Sequence, residues 1–168
     1  MLSVEQTIPS KIKILIVDDR VDNLQLLSTI LATYGYEVVE SDRGSSAIKL
    51  AQANPPDLIL LDISMPEMDG FEVCQVLKSK DITKDIPVIF ISALREIKDK
   101  TQAFKIGGDD YITKPFNIKE VLLRVENQLK RYRLQLELQA KNCHLQQENS
   151  ALLETENELL LLIERMIN

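Results

Sequence analysis

Five side chains of the 168-residue chain sit where a short apolar run ends. They are Asp18 and Asp19 after KIKILIV, Asp62 after DLILL, Ser92 after PVIFI and Lys114 after DYIT. A single acidic residue after a strand commonly caps the next helix. Three carboxylates brought to one rim would instead repel one another unless a cation sat among them. All-oxygen ligands with room for water suit Mg2+, whose octahedral shell keeps several waters and joins phosphate oxygens. A carboxylate can also attack phosphorus and give an aspartyl phosphate. Asp62 closes the most apolar run, which makes it the residue for the base of such a pocket. Phosphoryl transfer mainly needs positioning and charge neutralisation. A metal among the carboxylates, a donor hydroxyl on Ser92 and a cation on Lys114 would supply both.

That rim exists only if the runs are neighbouring strands. Lys11–Val17, Tyr36–Glu40, Asp57–Leu61, Pro87–Ile91 and Asp110–Thr113 read as strands. Between them, Val21–Tyr34, Ser45–Ala53, Gly70–Lys80 and Glu96–Ile106 carry helix-period apolar spacing. Strand–helix alternation repeated in this way predicts an α/β fold with parallel pairing through crossover helices. Near-continuous apolar strands suit a sheet covered on both faces. Ligands of such sheets bind beyond the carboxyl ends of the strands, where the five residues fall.

The blocks LIVDD (Leu15–Asp19), LILLDISMPEMDG (Leu58–Gly70), VIFISA (Val88–Ala93) and DYITKPF (Asp110–Phe116) occur in this order. Together they resemble the response-regulator receiver domain of two-component signalling, of the single-domain chemotaxis-regulator type, over about residues 11–130. The resemblance implies a doubly wound five-stranded parallel sheet, flavodoxin-like, of strand order 2-1-3-4-5. It implies that Asp62 is the phosphoacceptor, charged by a histidine kinase or phosphotransfer protein. Asp18, Asp19 and Asp62 would hold Mg2+ with the backbone carbonyl of Ser64, Asp19 being the more direct ligand. Ser92 would be the switch hydroxyl, where threonine is more frequent, and Tyr111 the aromatic whose rotamer follows it. Lys114 would pair with the phosphoryl oxygens, and Pro115 fits a cis-peptide position that aims it. The resemblance also puts Ser64 at a variable position that would tune how fast the phosphoryl group is lost.

Rival functions are an aspartate-based phosphohydrolase and an inert receiver-like dimerisation module. Phosphatases of the haloacid-dehalogenase type need a second Asp two residues after the first, where Ser64 stands. There is no GxxxxGK[ST] nucleotide loop. His144, the one histidine, lacks the surroundings of a kinase phosphorylation box and reads as solvent-facing. Asp109 and Asp110 read as turn residues after Gly107–Gly108.

All five glycines and all six prolines lie at or before Pro115, which leaves 53 residues without a helix breaker. That stretch reads as one helix after Asn117, a fair N-cap, roughly 75–80 Å long at about 1.5 Å per residue. Its first stripe, Ile118, Leu122, Val125, Leu129, Tyr132 and Leu136, would cover the sheet at least as far as Leu129. The phase then changes. Leu138, Leu145, Leu152, Leu159 and Met166 recur every seven residues, and Asn142, Asn149, Glu156 and Ile163 fall at a when these are d. This predicts a parallel, in-register homodimer, because a buried Asn pairs best with its twin. The expected organisation is therefore an N-terminal tail (1–10), a receiver domain (11–130) and a coiled-coil dimerisation and signalling helix (131–168).

A net charge of −6 argues against a chain built to coat nucleic acid or anionic membrane. The basic patch Lys130–Arg131–Tyr132–Arg133 is short, and residues 117–168 carry seven basic and eight acidic side chains. Direct nucleic-acid binding by this segment is not expected. No run approaches a membrane span and no secretory signal opens the chain. Cys74 and Cys143 read as free thiols of a cytoplasmic protein. The helix still reads apolar through LLLLIERMIN, which suggests a longer protein with an output module beyond it.

Overall fold

A computed structural model describes residues 11–93 and 100–167. Five strands, β1 (Lys13–Val17), β2 (Glu37–Ser41), β3 (Leu58–Asp62), β4 (Val88–Ala93) and β5 (Asp110–Lys114), form one sheet of order β2-β1-β3-β4-β5. Every pairing is parallel. The helices are α1 (Val21–Thr33), α2 (Gly44–Ala53), α3 (Gly70–Lys78), α4 (Lys100–Lys105) and α5 (Ile118–Ile167). The chain clusters into two compact units that meet between Leu129 and Lys130.

Strand periodicity splits the core in two. Ile14, Ile16, Leu58, Leu60, Ile89, Ile91 and Ile112 point to one face, where α1 (Leu24, Leu27, Leu31) and α5 (Val121, Val125, Leu129) cover them. Leu15, Val17, Ile59, Leu61, Val88, Phe90 and Tyr111 point to the other, beneath α2 (Ala47, Ala51), α3 (Val73, Cys74, Leu77) and Ala103 of α4. Both faces are apolar because both are covered.

The strands sit slightly later than the apolar runs suggest. Asp62, Ser92 and Lys114 belong to the ladder, not to the loops after it: Asp62 stands opposite Ile91, and Ser92 opposite Thr113. Polar residues at a strand's carboxyl end still hydrogen-bond through the backbone, which side-chain patterning does not register. On α5 the stripe also differs. Ile118 is exposed, and Val121 and Gln128 join Leu122, Val125 and Leu129 on the buried face. The expected α4 began at Glu96; its first residues lie outside the described range, as does the tail 1–10.

Candidate functional site

The carboxyl ends of β1, β3, β4 and β5 bring Asp18, Asp62, Ser92 and Lys114 to one rim. Order 2-1-3-4-5 makes β1 and β4 the neighbours of β3, which puts Asp62 between them. Asp18 and Asp62 are buried and Asp19 is exposed; each offers a carboxylate oxygen, and all three oxygens lie within 4.8 Å of one another. These three could hold a divalent cation.

Lys114 bridges the buried pair. Its Nζ donates to Asp18 Oδ2 and to Asp62 Oδ1, both at 3.0 Å. Burial raises the Asp62 carboxyl to about 6 from an ordinary 3.8, Lys114 pulls it down, and the Asp18 and Asp19 charges push it up. Burial works against the Lys114 ammonium, yet the Asp62 and Asp18 carboxylates outweigh it and hold the lysine above its ordinary value. The peptide bond between Lys114 and Pro115 is cis.

Asp18 is saturated on both oxygens. Oδ1 accepts from the Arg20 backbone N–H at 2.9 Å and from Asn23 Nδ2 at 3.1 Å; Oδ2 accepts from Asn23 Nδ2 at 2.9 Å besides Lys114. Asn23, in the first turn of α1, was not singled out by the sequence. A polar residue there looks like any helix-start residue. The one available signal was its position one turn after the Asp18–Asp19 pair.

Ser92 is fully buried, and its Oγ has no hydrogen-bond partner among the described residues. A buried hydroxyl without a partner costs free energy unless something else uses it. Tyr111 is buried in the core on the α3–α4 side of the sheet. Ser64 is exposed in the loop after β3. That loop carries Glu67 at φ 66°, a left-handed position for a non-glycine residue, and ends in a capping box between Asp69 and Glu72 at the start of α3. Asp109 and Asp110 stand apart from the rim. The Asp109 carboxylate accepts from the Val88 N–H and from Lys78, and Asp110 pairs with Arg124 of α5. His144 is exposed on α5, as expected. The d-series leucines Leu138, Leu145, Leu152 and Leu159 are exposed on their helix, as are Asn142 and Asn149.

Known proteins resemble this chain in sequence and fold. The model of the response regulator receiver domain matches residues 14–126. The chain is 45% identical over 119 residues to the DNA-binding dual master transcriptional regulator RpaA of Synechocystis, covering 71% of this chain and 49% of that protein. It is 42% identical over 123 residues to the heme response regulator HssR of Staphylococcus haemolyticus, covering 73% and 54%. The chain thus spans about half the length of these curated relatives. Among solved structures, the receiver domain of a Francisella response regulator superposes with a TM-score of 0.67 at 35% identity, covering 72% of this chain and 98% of that one. NtrX of Brucella abortus superposes with a TM-score of 0.72 at 30% identity, covering 76% and 29%. The fold, its strand order and these matches together establish that the chain belongs to the response regulator receiver domain family.

Proposed function

We propose that Asp62 accepts a phosphoryl group from a histidine kinase or phosphotransfer protein, and that the distal helix carries the result as a parallel dimer toward an output module. One observation carries the site reading. A buried carboxyl at the base of a three-carboxylate rim is held by a lysine, and the adjacent strand carries near its end a buried hydroxyl that has no partner among the described residues. The Asp62 carboxylate attacks phosphorus; the P–O bond forms as the P–N bond to the donor imidazole breaks, and the imidazole keeps that electron pair.

Asp18, Asp19 and Asp62, with the Ser64 carbonyl, suit Mg2+, since the donor set is all oxygen and its crowded charges favour a cation. Bound there, the ion neutralises charge on the phosphoryl oxygens. With both Asp18 oxygens already engaged, the exposed Asp19 is the more direct ligand. Lys114 holds the nucleophile before transfer and pairs with a phosphoryl oxygen after it. Ser92 donates its hydroxyl to another, and Tyr111 turns into the space this leaves. The organisation follows as tail 1–10, receiver 11–130 and coiled-coil helix 131–168, with no direct nucleic-acid contact by this segment. Self-catalysed transfer and slow loss of the phosphoryl group, in a cytoplasmic setting, complete the reading. Among the described residues no helix is long and apolar enough to cross a membrane.

The test is incubation with acetyl phosphate and Mg2+. The expected result is a stable acyl phosphate on the wild-type chain and none on Asp62→Asn. Continuous turnover would favour a phosphohydrolase, and labelling of Asp62→Asn at an equal rate would move the acceptor elsewhere.

A further inference from the structure

Asn23 stands in the first turn of α1, where its N–H donates to the Arg20 carbonyl at 3.1 Å. From there its Nδ2 reaches both oxygens of Asp18, Oδ2 at 2.9 Å and Oδ1 at 3.1 Å. A carboxylate has no proton to give, so the amide must turn its nitrogen toward it, and that nitrogen carries a hydrogen for each oxygen. The Arg20 N–H adds a second donor on Oδ1 and Lys114 a second donor on Oδ2. An ionised carboxylate offers about four acceptor sites in all, and on Asp18 they are taken. Asp18 is 1% exposed, so these protein donors, not bulk water, set its surroundings.

The donors differ in kind. The Arg20 N–H is backbone, fixed by the turn between β1 and α1, and Lys114 is shared with Asp62. Asn23 is a neutral side chain that fills a site on each oxygen. While it does so, a cation among the carboxylates finds no open acceptor site on Asp18. Its ligands from the protein are then Asp19, Asp62 and the Ser64 carbonyl, with water in the remaining positions. Few carboxylates and several waters suit Mg2+. Ca2+ takes about six to eight oxygens in a looser shell, and its affinity rises with the number of charged ligands. A second buried carboxylate in the ligand set would therefore benefit Ca2+ more than Mg2+.

We infer that Asn23 is a specificity-determining residue of the cation site: by occupying both oxygens of Asp18 it keeps that carboxylate out of the ligand set and favours Mg2+ over Ca2+. The inference rests on the reading of the three-carboxylate rim as a cation site. Isothermal titration calorimetry of the full chain with Mg2+ alone and with Ca2+ alone tests it. Wild type is compared with Asn23→Ala and with the bulkier, donor-free Asn23→Leu, folding being followed by circular dichroism. Wild type should bind Mg2+ more tightly than Ca2+. In each folded variant the ratio of Ca2+ to Mg2+ affinity should rise about tenfold. A merely structural role for Asn23 would move both affinities together; an unchanged ratio, or one shifted toward Mg2+, would overturn the inference and leave the cation site standing. A wild-type preference for Ca2+ would overturn it by putting Asp18 among the ligands already. Loss of the fold in both variants would overturn it by making the contact a requirement of folding. A wild-type chain that binds neither cation would overturn this inference and the cation-site reading together.

Discussion

At the scale of single residues, Asp62 holds its proton unusually well, with a pKa of about 6 against an ordinary 3.8. The raised value means that the folded chain binds more protons than the unfolded chain between those two pH values. Stability therefore falls as pH rises through that window, and the penalty is complete above about 6. In metal-free buffer, Asp62→Asn should melt higher than wild type at pH 7.5, and the gap should narrow to about half at pH 5 and close only below about 3.8; thermal unfolding at pH 7.5 and 5 checks it. Asn23 acts from the other side of the pocket. Replacing it with alanine takes two donor contacts from the buried Asp18 carboxylate and should cost about 1–2 kcal/mol in denaturant unfolding. An unchanged midpoint would mean that Arg20 N–H and Lys114 alone suffice to hold Asp18.

At the scale of elements, the start of α3 is fitted to the strand that carries the nucleophile. A Cβ at Gly70 would run into the carbonyl oxygen of Asp62 and meet Ile63 Cα at 2.8 Å, while Gly70 N–H donates to the Ile63 carbonyl at 2.9 Å. Backbone cannot yield as a side-chain tip can. Gly70→Ala should therefore destabilise the receiver unit by about 1–3 kcal/mol and slow labelling of Asp62, read by unfolding and by acetyl phosphate uptake. The outline of this arrangement was legible in the sequence. Short, near-continuous apolar runs, amphipathic spacers, and polar or charged residues at the run ends name β1, β3, β4, β5 and the residues they carry. Asn23 was not legible, because its role depends on an amide folding back onto Asp18. Neither was the left-handed Glu67, since glutamate carries no turn signal. On α5, Ile118 and Val121 are both apolar, and only packing on the sheet decides that Val121 is buried and Ile118 is not.

At the scale of the whole molecule, the zipper reading commits to a direction. In a Cys143→Ser background, Leu145→Cys should cross-link to its own twin, whereas an antiparallel pair would join Leu138→Cys to Leu159→Cys. Cys74 will not compete, because burial pushes its thiol up to about 11. A chain cut after Tyr132 should sediment as a monomer. Within the receiver unit, the sheet has two audiences. Tyr111 addresses the layer of α2, α3 and α4, while its neighbour Ile112 addresses α1 and α5. Asp110, the neighbour on the other side, is already in the grip of α5 through Arg124 at 2.6 Å and Gln128. Parity along β5 thus decides which layer each residue packs against: odd steps from Tyr111 cross the sheet, even steps do not. Deleting a single residue from this strand would turn the side chains on one side of the deletion to the opposite layer, where neither core is shaped for them.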